Sequence, residues 1–245
     1  STTTRNYTAE QATSVGLGSA QTAVVCEGRK GRIYLSPQYS RLPKNIPEAD
    51  RAGLIIEMSP NPRDVWCRNF GLNTPADLFT PRQLVATTTF SDLVQEARTK
   101  AIDDAKAAGM TDHGLGIDAG GKGATAYGDA LAVYLTFSVD RLADYNSSIA
   151  TWKASGEQVM QTYKRQALPM TWDFPESNIL GEKSICWLKA IKYTSDNLKA
   201  CTKLNSLIPG TVTQSDAATQ SISTRKVIST DPPYYANIGY ADLSD

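Results

Sequence analysis

Lys226-Val227-Ile228-Ser229-Thr230-Asp231-Pro232-Pro233-Tyr234 is the stretch that decides the predicted fold. Its first five residues are typical of a β-strand, which would end at Asp231. The preceding stretch 210–217 also predicts a strand that ends in a carboxylate, Asp216. Long helices followed by strands with functional residues at their carboxyl ends predict an α/β sheet domain.

The strongest functional signal in the sequence is the motif Asp231, Pro232, Pro233 and Tyr234, whose side chains and backbone could bind an aromatic amine. An exocyclic amino group on a nucleobase is a poor nucleophile because its lone pair is delocalised into the ring. Two acceptors, the Asp231 carboxylate and the Pro232 carbonyl, would localise that lone pair, and the prolines would hold the acceptors in place. Tyr234 offers a flat face for a base flipped out of the duplex. The alternative is a rigid turn followed by a core tyrosine.

The middle of the chain predicts three helices. Thr80 is a good N-cap and Pro81 a good first residue for a helix that runs to about Ala108 and stops at Gly109. A second helix is predicted over 124–150 and a third over 182–204. The buried face of the first helix is expected to carry Leu84, Phe90, Leu93, Ala97 and Ile102. That of the second is expected to carry Ala130, Val133, Tyr134, Phe137, Leu142 and Tyr145, and that of the third Ile185, Leu188, Ile191 and Leu198.

The first part of the chain is β-rich. Residues 22–26 and 31–35 flank a turn at 27–31 and predict a β-hairpin. The chain therefore divides into a β-rich N-terminal segment (1–65), a mainly helical region (66–205) and a partial sheet that carries the Asp-Pro-Pro-Tyr motif (206–245).

Composition limits the function classes. The chain of 245 residues has a formal net charge of zero, which argues against coating nucleic acid by bulk electrostatics. No apolar run reaches the roughly 18–20 residues that cross a bilayer, and the polar start lacks a secretory signal. We therefore expect a cytoplasmic protein without a membrane partner.

Four cysteines without a Cys-x-x-Cys pair, and one histidine, predict buried free thiols and no metal site.

Residues 229–245 closely resemble the large bacterial and archaeal adenine-specific DNA methylases described as containing a zinc ribbon. Four further blocks are similar to that family, so the resemblance extends from about residue 66 to the end: 79–84, 123–127, 141–148 and 166–173. The resemblance implies part of a Rossmann-like methyltransferase fold with a helical insertion. It also implies S-adenosylmethionine as cofactor, DNA as substrate, N6-adenine methylation and a setting such as restriction–modification.

The resemblance also suggests roles for single residues. Asp216 and Ala217 correspond in chain order to a motif that contacts the adenine of the cofactor, although Asp216 is equally a turn residue. Arg82, Arg165 and Tyr235 are candidates for DNA contact, and Arg82 is alternatively a first-turn surface residue. The glycine-rich stretch 118–123 is either a cofactor contact or a flexible loop.

The family's Asp-Pro-Phe-x-Gly-x-Gly cofactor loop and its zinc-ribbon cysteines have no counterpart in this sequence. We therefore expect a middle section of a larger enzyme, inactive alone, whose partner is the missing remainder of the same methylase. Two alternatives stay open: N4-cytosine methylation, and a DNA-positioning or structural module of a larger methylase.

Overall fold

Helices and two small hairpins make up the regular structure of the residues described. The computed structural model describes residues 8–43, 45–201 and 213–231. Four α-helices and two antiparallel strand pairs lie in these ranges, so the architecture is mixed α and β. Their bounds in chain order are α1 Ala9–Val15, β1 Val24–Gly28, β2 Gly31–Leu35, α2 Pro81–Ala107, α3 Ala124–Tyr145, β3 Thr151–Lys153, β4 Gln158–Met160 and α4 Trp187–Cys201.

Helix α2 confirms the helix predicted from its capping signals. The backbone N–H of Thr80 donates to Gln83 Oε1 at 2.8 Å, and the N–H of Gln83 donates to Thr80 Oγ1 at 3.3 Å. This reciprocal pair satisfies two of the donors that every helix start leaves without an intrahelical partner. The helix ends before Gly109, whose φ of 90° is a conformation that glycine adopts readily.

The predicted N-terminal hairpin is also confirmed. Strands β1 and β2 pair from Val24 with Leu35 to Gly28 with Gly31, which leaves a two-residue turn. Tyr34 Oη donates to Glu157 Oε1 at 2.8 Å, and so links this hairpin to the connection between β3 and β4. The β3–β4 pair was not predicted, since strands of three residues give almost no periodic signal.

The core of the helical region lies where α3 packs between α2 and α4. Against α2, α3 presents small residues, and a side chain at Gly128 would overlap Ile102. Against α4, Ser138 Oγ lies 2.9 Å from Thr194 Oγ1 and Leu142 packs in one cluster with Ala190. Five of the seven buried residues of α3 are alanine, glycine or serine, and small side chains of this kind let helices pack closely.

This packing corrects several predictions about buried faces. Val94, and not Leu93, is buried on α2. Val133, Tyr134 and Phe137 of α3 and Leu188 of α4 are exposed, because the small-residue side of α3 is the one that meets α2. Two helix bounds also differ from prediction. Helix α3 ends at Tyr145, where Asn146 leaves the helical conformation, and α4 begins at Trp187.

The sheet predicted near the end of the chain is not formed by the described residues. Residues 227–230 have no regular secondary structure, and the side chain of Val227 is 100% exposed. A strand needs a neighbour that completes its hydrogen-bond ladder, and no strand partner lies beside 226–230 within the described ranges. The other predicted strand falls partly on 210–212, outside the described residues, and its remainder leads into an exposed turn at 217–219.

No helix in the described ranges combines the length and the apolar character that a membrane-spanning segment needs.

Candidate functional site

Asp231 is the one member of the predicted amine clamp that the structure describes, and it is exposed to solvent. Pro232, Pro233 and Tyr234 lie outside the described residues, as does Tyr235, the proposed DNA contact. The geometry of the clamp therefore stays a prediction.

Asp216 and Ala217, the predicted cofactor contacts, lie in an exposed turn. Asp216 Oδ1 accepts a hydrogen bond from the N–H of Ala218 at 2.8 Å, and the Asp216 carbonyl accepts one from Gln220 at 3.0 Å. This is the geometry of a turn aspartate. A site for adenine needs apolar walls as well as a carboxylate, and the side chains described around this turn are largely exposed. The described residues alone therefore do not fit the cofactor.

The glycine-rich segment after α2 is tied to the helices on both sides. The carboxylate of Asp112 accepts hydrogen bonds from the N–H of Thr125 at 3.0 Å and from its hydroxyl at 2.9 Å, and Lys106 Nζ lies 3.0 Å away. Asp129 Oδ2 accepts from the N–H of Ile117 at 3.1 Å. These bonds anchor the loop at two points, and Lys122 is left on the exposed surface.

Arg82 is engaged by a carboxylate far along the chain. Its Nε donates to Glu176 Oε1 at 2.7 Å and its Nη2 to Oε2 at 2.9 Å, while the Thr80 hydroxyl donates to the same Oε2 at 3.2 Å. The hydrogen bonds to Glu176 raise the pKa of Arg82. Both charged side chains are about three-quarters buried, so this first-turn arginine is part of a packed junction. Arg165, the other candidate for a phosphate contact, is exposed in an irregular segment.

A buried amide extends this junction to α3. Asn146 Oδ1 accepts from Gln83 Nε2 at 3.4 Å and from the N–H of Ser177 at 3.0 Å. We call the set Thr80, Arg82, Gln83, Asn146, Glu176 and Ser177 the polar junction. It brings together the blocks at 79–84 and 141–148 with the residues that follow the block at 166–173. The resemblance singled out these blocks separately, and their contact in space is a property of the fold.

A groove on the helical region contains a cation and three aromatic rings. It lies between α3 and α4, has a volume of about 390 Å³, and its walls include Tyr134, Phe137, Arg141 and Tyr193. We call it the α3–α4 groove. The Arg141 guanidinium lies over the Tyr193 ring, 3.9 Å from its centroid, and 5.1 Å from the centroid of Tyr145. Within the described part of the chain, no carboxylate forms an ion pair with Arg141.

Two residues of this groove, Tyr134 and Phe137, are predicted from the sequence to lie on the buried face of α3. They recur with Arg141 at helical spacing, and apolar residues at that spacing usually face the interior. Only the packing of α3 shows that the side with alanine and glycine is buried instead.

No protein-family model, no curated protein and no solved structure matches this chain. Among the residues that the structure describes, no three histidine, cysteine, aspartate or glutamate side chains come together as metal ligands.

Proposed function

We propose that this chain is part of an S-adenosylmethionine-dependent DNA amino-methyltransferase with a Rossmann-like catalytic domain, and that it acts on N6 of adenine. The observation that carries the proposal is the Asp-Pro-Pro-Tyr sequence at 231–234, with its acidic residue accessible to solvent. The longer similarity over 229–245 supports the same assignment.

Asp231 has a defined chemical task in this proposal. Its carboxylate accepts a hydrogen bond from one N–H of the adenine amino group, and the Pro232 carbonyl accepts the other. The nitrogen then moves toward a tetrahedral geometry, and its lone pair becomes available for the methyl donor. Positioning and electrostatics do most of the work, because the acceptors are fixed before the base arrives.

The helical region has a supporting role. The polar junction fixes the first turn of α2 against Asn146 and Glu176 through charged and buried hydrogen bonds. Such a network is costly to disturb, because each buried polar group would lose its only partners. We propose that it sets the orientation of α2 and α3 toward the rest of the enzyme. In this proposal the methyl donor is bound by the remainder of the methylase, because the cofactor loop that the resemblance implies has no counterpart in this sequence.

The experiment is the variant Asp231→Ala in the complete methylase. Mass spectrometry of nucleosides from treated DNA identifies the methylated base and gives the rate. We expect a loss of about 100-fold or more, the range found when a preorganised polar group is removed from an active site. Asp103→Ala, which removes an exposed carboxylate on α2 outside the motif, is the matched control and should methylate normally. A near-normal rate for Asp231→Ala rules out the clamp.

The same measurement distinguishes the proposed function from two alternatives. N4-methylcytosine in place of N6-methyladenine would identify a cytosine enzyme, since both bases offer an aromatic amine to the same clamp. The DNA-positioning module is the rival from another class, and the cation and exposed rings of the α3–α4 groove favour it. DNA binding by the chain, together with near-normal methylation by the Asp231→Ala variant of the complete methylase, would support that rival.

A further inference from the structure

We propose that the α3–α4 groove binds an unpaired segment of nucleic acid, with a phosphate against Arg141 and a base stacked on the exposed aromatic rings. The inference rests on the proposed function in one respect, the choice of nucleic acid as the ligand. It concerns a surface that is separate in sequence from the Asp-Pro-Pro-Tyr motif.

Arg141 provides the anion contact. Its guanidinium is half-buried and lies 3.9 Å from the centroid of the Tyr193 ring and 5.1 Å from that of Tyr145, so two aromatic rings hold it in place. No described carboxylate pairs with it. A fork of fixed donors without an acidic partner matches the oxygens of a phosphodiester.

The rings provide the base contact. Tyr134, Phe137 and Tyr193 line the groove, and their side chains are 38%, 55% and 52% exposed. Every nucleobase has a flat π-face, so exposed rings stack on bases without regard to sequence.

The charges along the groove favour a polyanion over an apolar partner. Lys189 lies one turn before Tyr193 on the same side of α4 and is exposed, which extends the positive surface beyond Arg141. Lys192 pairs with Asp196. On α3, Asp140 is adjacent to Arg141 in sequence, and Asp144, one helical turn further along, accepts a hydrogen bond from the N–H of Tyr163 at 3.0 Å. Covering Arg141 with an apolar protein surface would desolvate a cation without supplying a counter-charge. A second copy of the chain would bring the same cation, not an anion.

The test is fluorescence anisotropy of the 245-residue chain with a labelled single-stranded oligodeoxynucleotide, and with its duplex form. We expect saturable binding that is tighter for the single strand and weaker at high salt. Arg141→Gln and Phe137→Ala should each weaken binding about tenfold, the effect of losing one good stacking or charge contact. Both side chains are partly or largely exposed, and circular dichroism checks that the variants fold.

Two matched controls remove a charge and a ring elsewhere. Arg29→Gln changes the tip of the first hairpin, and Tyr39→Ala removes an exposed ring near the same hairpin. Equal weakening by Arg141→Gln and Arg29→Gln would overturn the proposal, as would the absence of saturable binding. Concentration-dependent self-association in sedimentation, abolished by Phe137→Ala, would assign the groove to a second copy and also overturn it.

Asp231→Ala separates this inference from the proposed function. It should bind the oligonucleotide like the parent chain, because the groove does not include Asp231. Loss of binding in Asp231→Ala with unchanged binding in Arg141→Gln would overturn the groove alone. Normal groove behaviour together with no methylation by the complete protein would overturn the methylase assignment alone.

Discussion

Arg82 and Glu176, which are 94 residues apart in sequence, meet in two side-by-side hydrogen bonds of 2.7 and 2.9 Å. The pair joins the first turn of α2 to the irregular segment before α4. Because both groups are largely buried, the loss of one partner leaves the other charge poorly solvated.

Replacing Glu176 by Gln should therefore destabilise the fold. We expect the free energy of unfolding to fall by about 1–3 kcal/mol, as for other buried groups that lose a charged hydrogen-bond partner. Urea unfolding followed by circular dichroism measures it. Asp104→Asn removes an exposed pair with Lys100 and should cost no more than about 0.5 kcal/mol. Equal stability of the two variants would show that the Arg82–Glu176 pair contributes nothing beyond a surface ion pair.

Gly128 marks the close contact between α2 and α3. A methyl group at this position would overlap Ile102, whose side chain is itself buried. Gly128→Ala should reduce the free energy of unfolding by about 1–3 kcal/mol through overpacking, although alanine is the better helix former by about 1 kcal/mol.

Gly18→Ala is the control for Gly128, since no atom lies within 4 Å of the added methyl group. Its stability should be unchanged or slightly higher. A stabilised Gly128→Ala variant would mean that the two helices can separate at little cost.

Asp112 should make the stability of the loop after α2 depend on pH. The N–H of Thr125 and then Lys106 are the main causes that hold the pKa of Asp112 well below its usual value. Because the pKa of Asp112 is lower in the folded than in the unfolded state, the ionised carboxylate stabilises the fold at pH values above the unfolded pKa, about 3.9. That contribution is lost as the pH falls toward the pKa of the folded state. Asp112→Asn should therefore be less stable than the parent at pH 7, and the difference should shrink below about pH 4. Unfolding curves of both proteins at pH 7 and below about pH 4 test this prediction. A difference in stability that grows on acidification would contradict it.

The four thiols should react in an order set by burial. Cys201 is exposed and Cys26 half-buried, whereas Cys67 and Cys186 are buried. Burial raises the pKa of Cys67 to about 11, so little thiolate forms at pH 8. A thiol reagent should modify Cys201 rapidly, Cys26 slowly, and the other two only after unfolding. Cys201→Ser should lack the fast phase, and rapid modification of Cys67 in the folded protein would contradict the packing.

The sequence suggests a candidate site only where the chemistry is local. Asp231 and the residues after it stay a prediction from consecutive residues, and the structure adds that Asp231 is exposed. The α3–α4 groove was not identified, because Phe137 and Arg141 on α3 and Tyr193 on α4 meet only after the helices pack. The same holds for the polar junction, where Glu176 has no sequence feature that points to Arg82.

Sequence alone determined the elements whose signals lie within a few residues. The N-cap Thr80 and Pro81 defined the start of α2, and the turn between β1 and β2 defined the first hairpin, because these signals depend on residues close in the chain. Tertiary structure alone decided which face of α3 is buried. Its aromatic side was expected to be buried, yet α2 packs on the side of Gly128 and Ala132, where the helix axes can approach most closely. It also decided that residues 226–230 form no strand within the described ranges, since a strand depends on a neighbour that its own sequence does not supply.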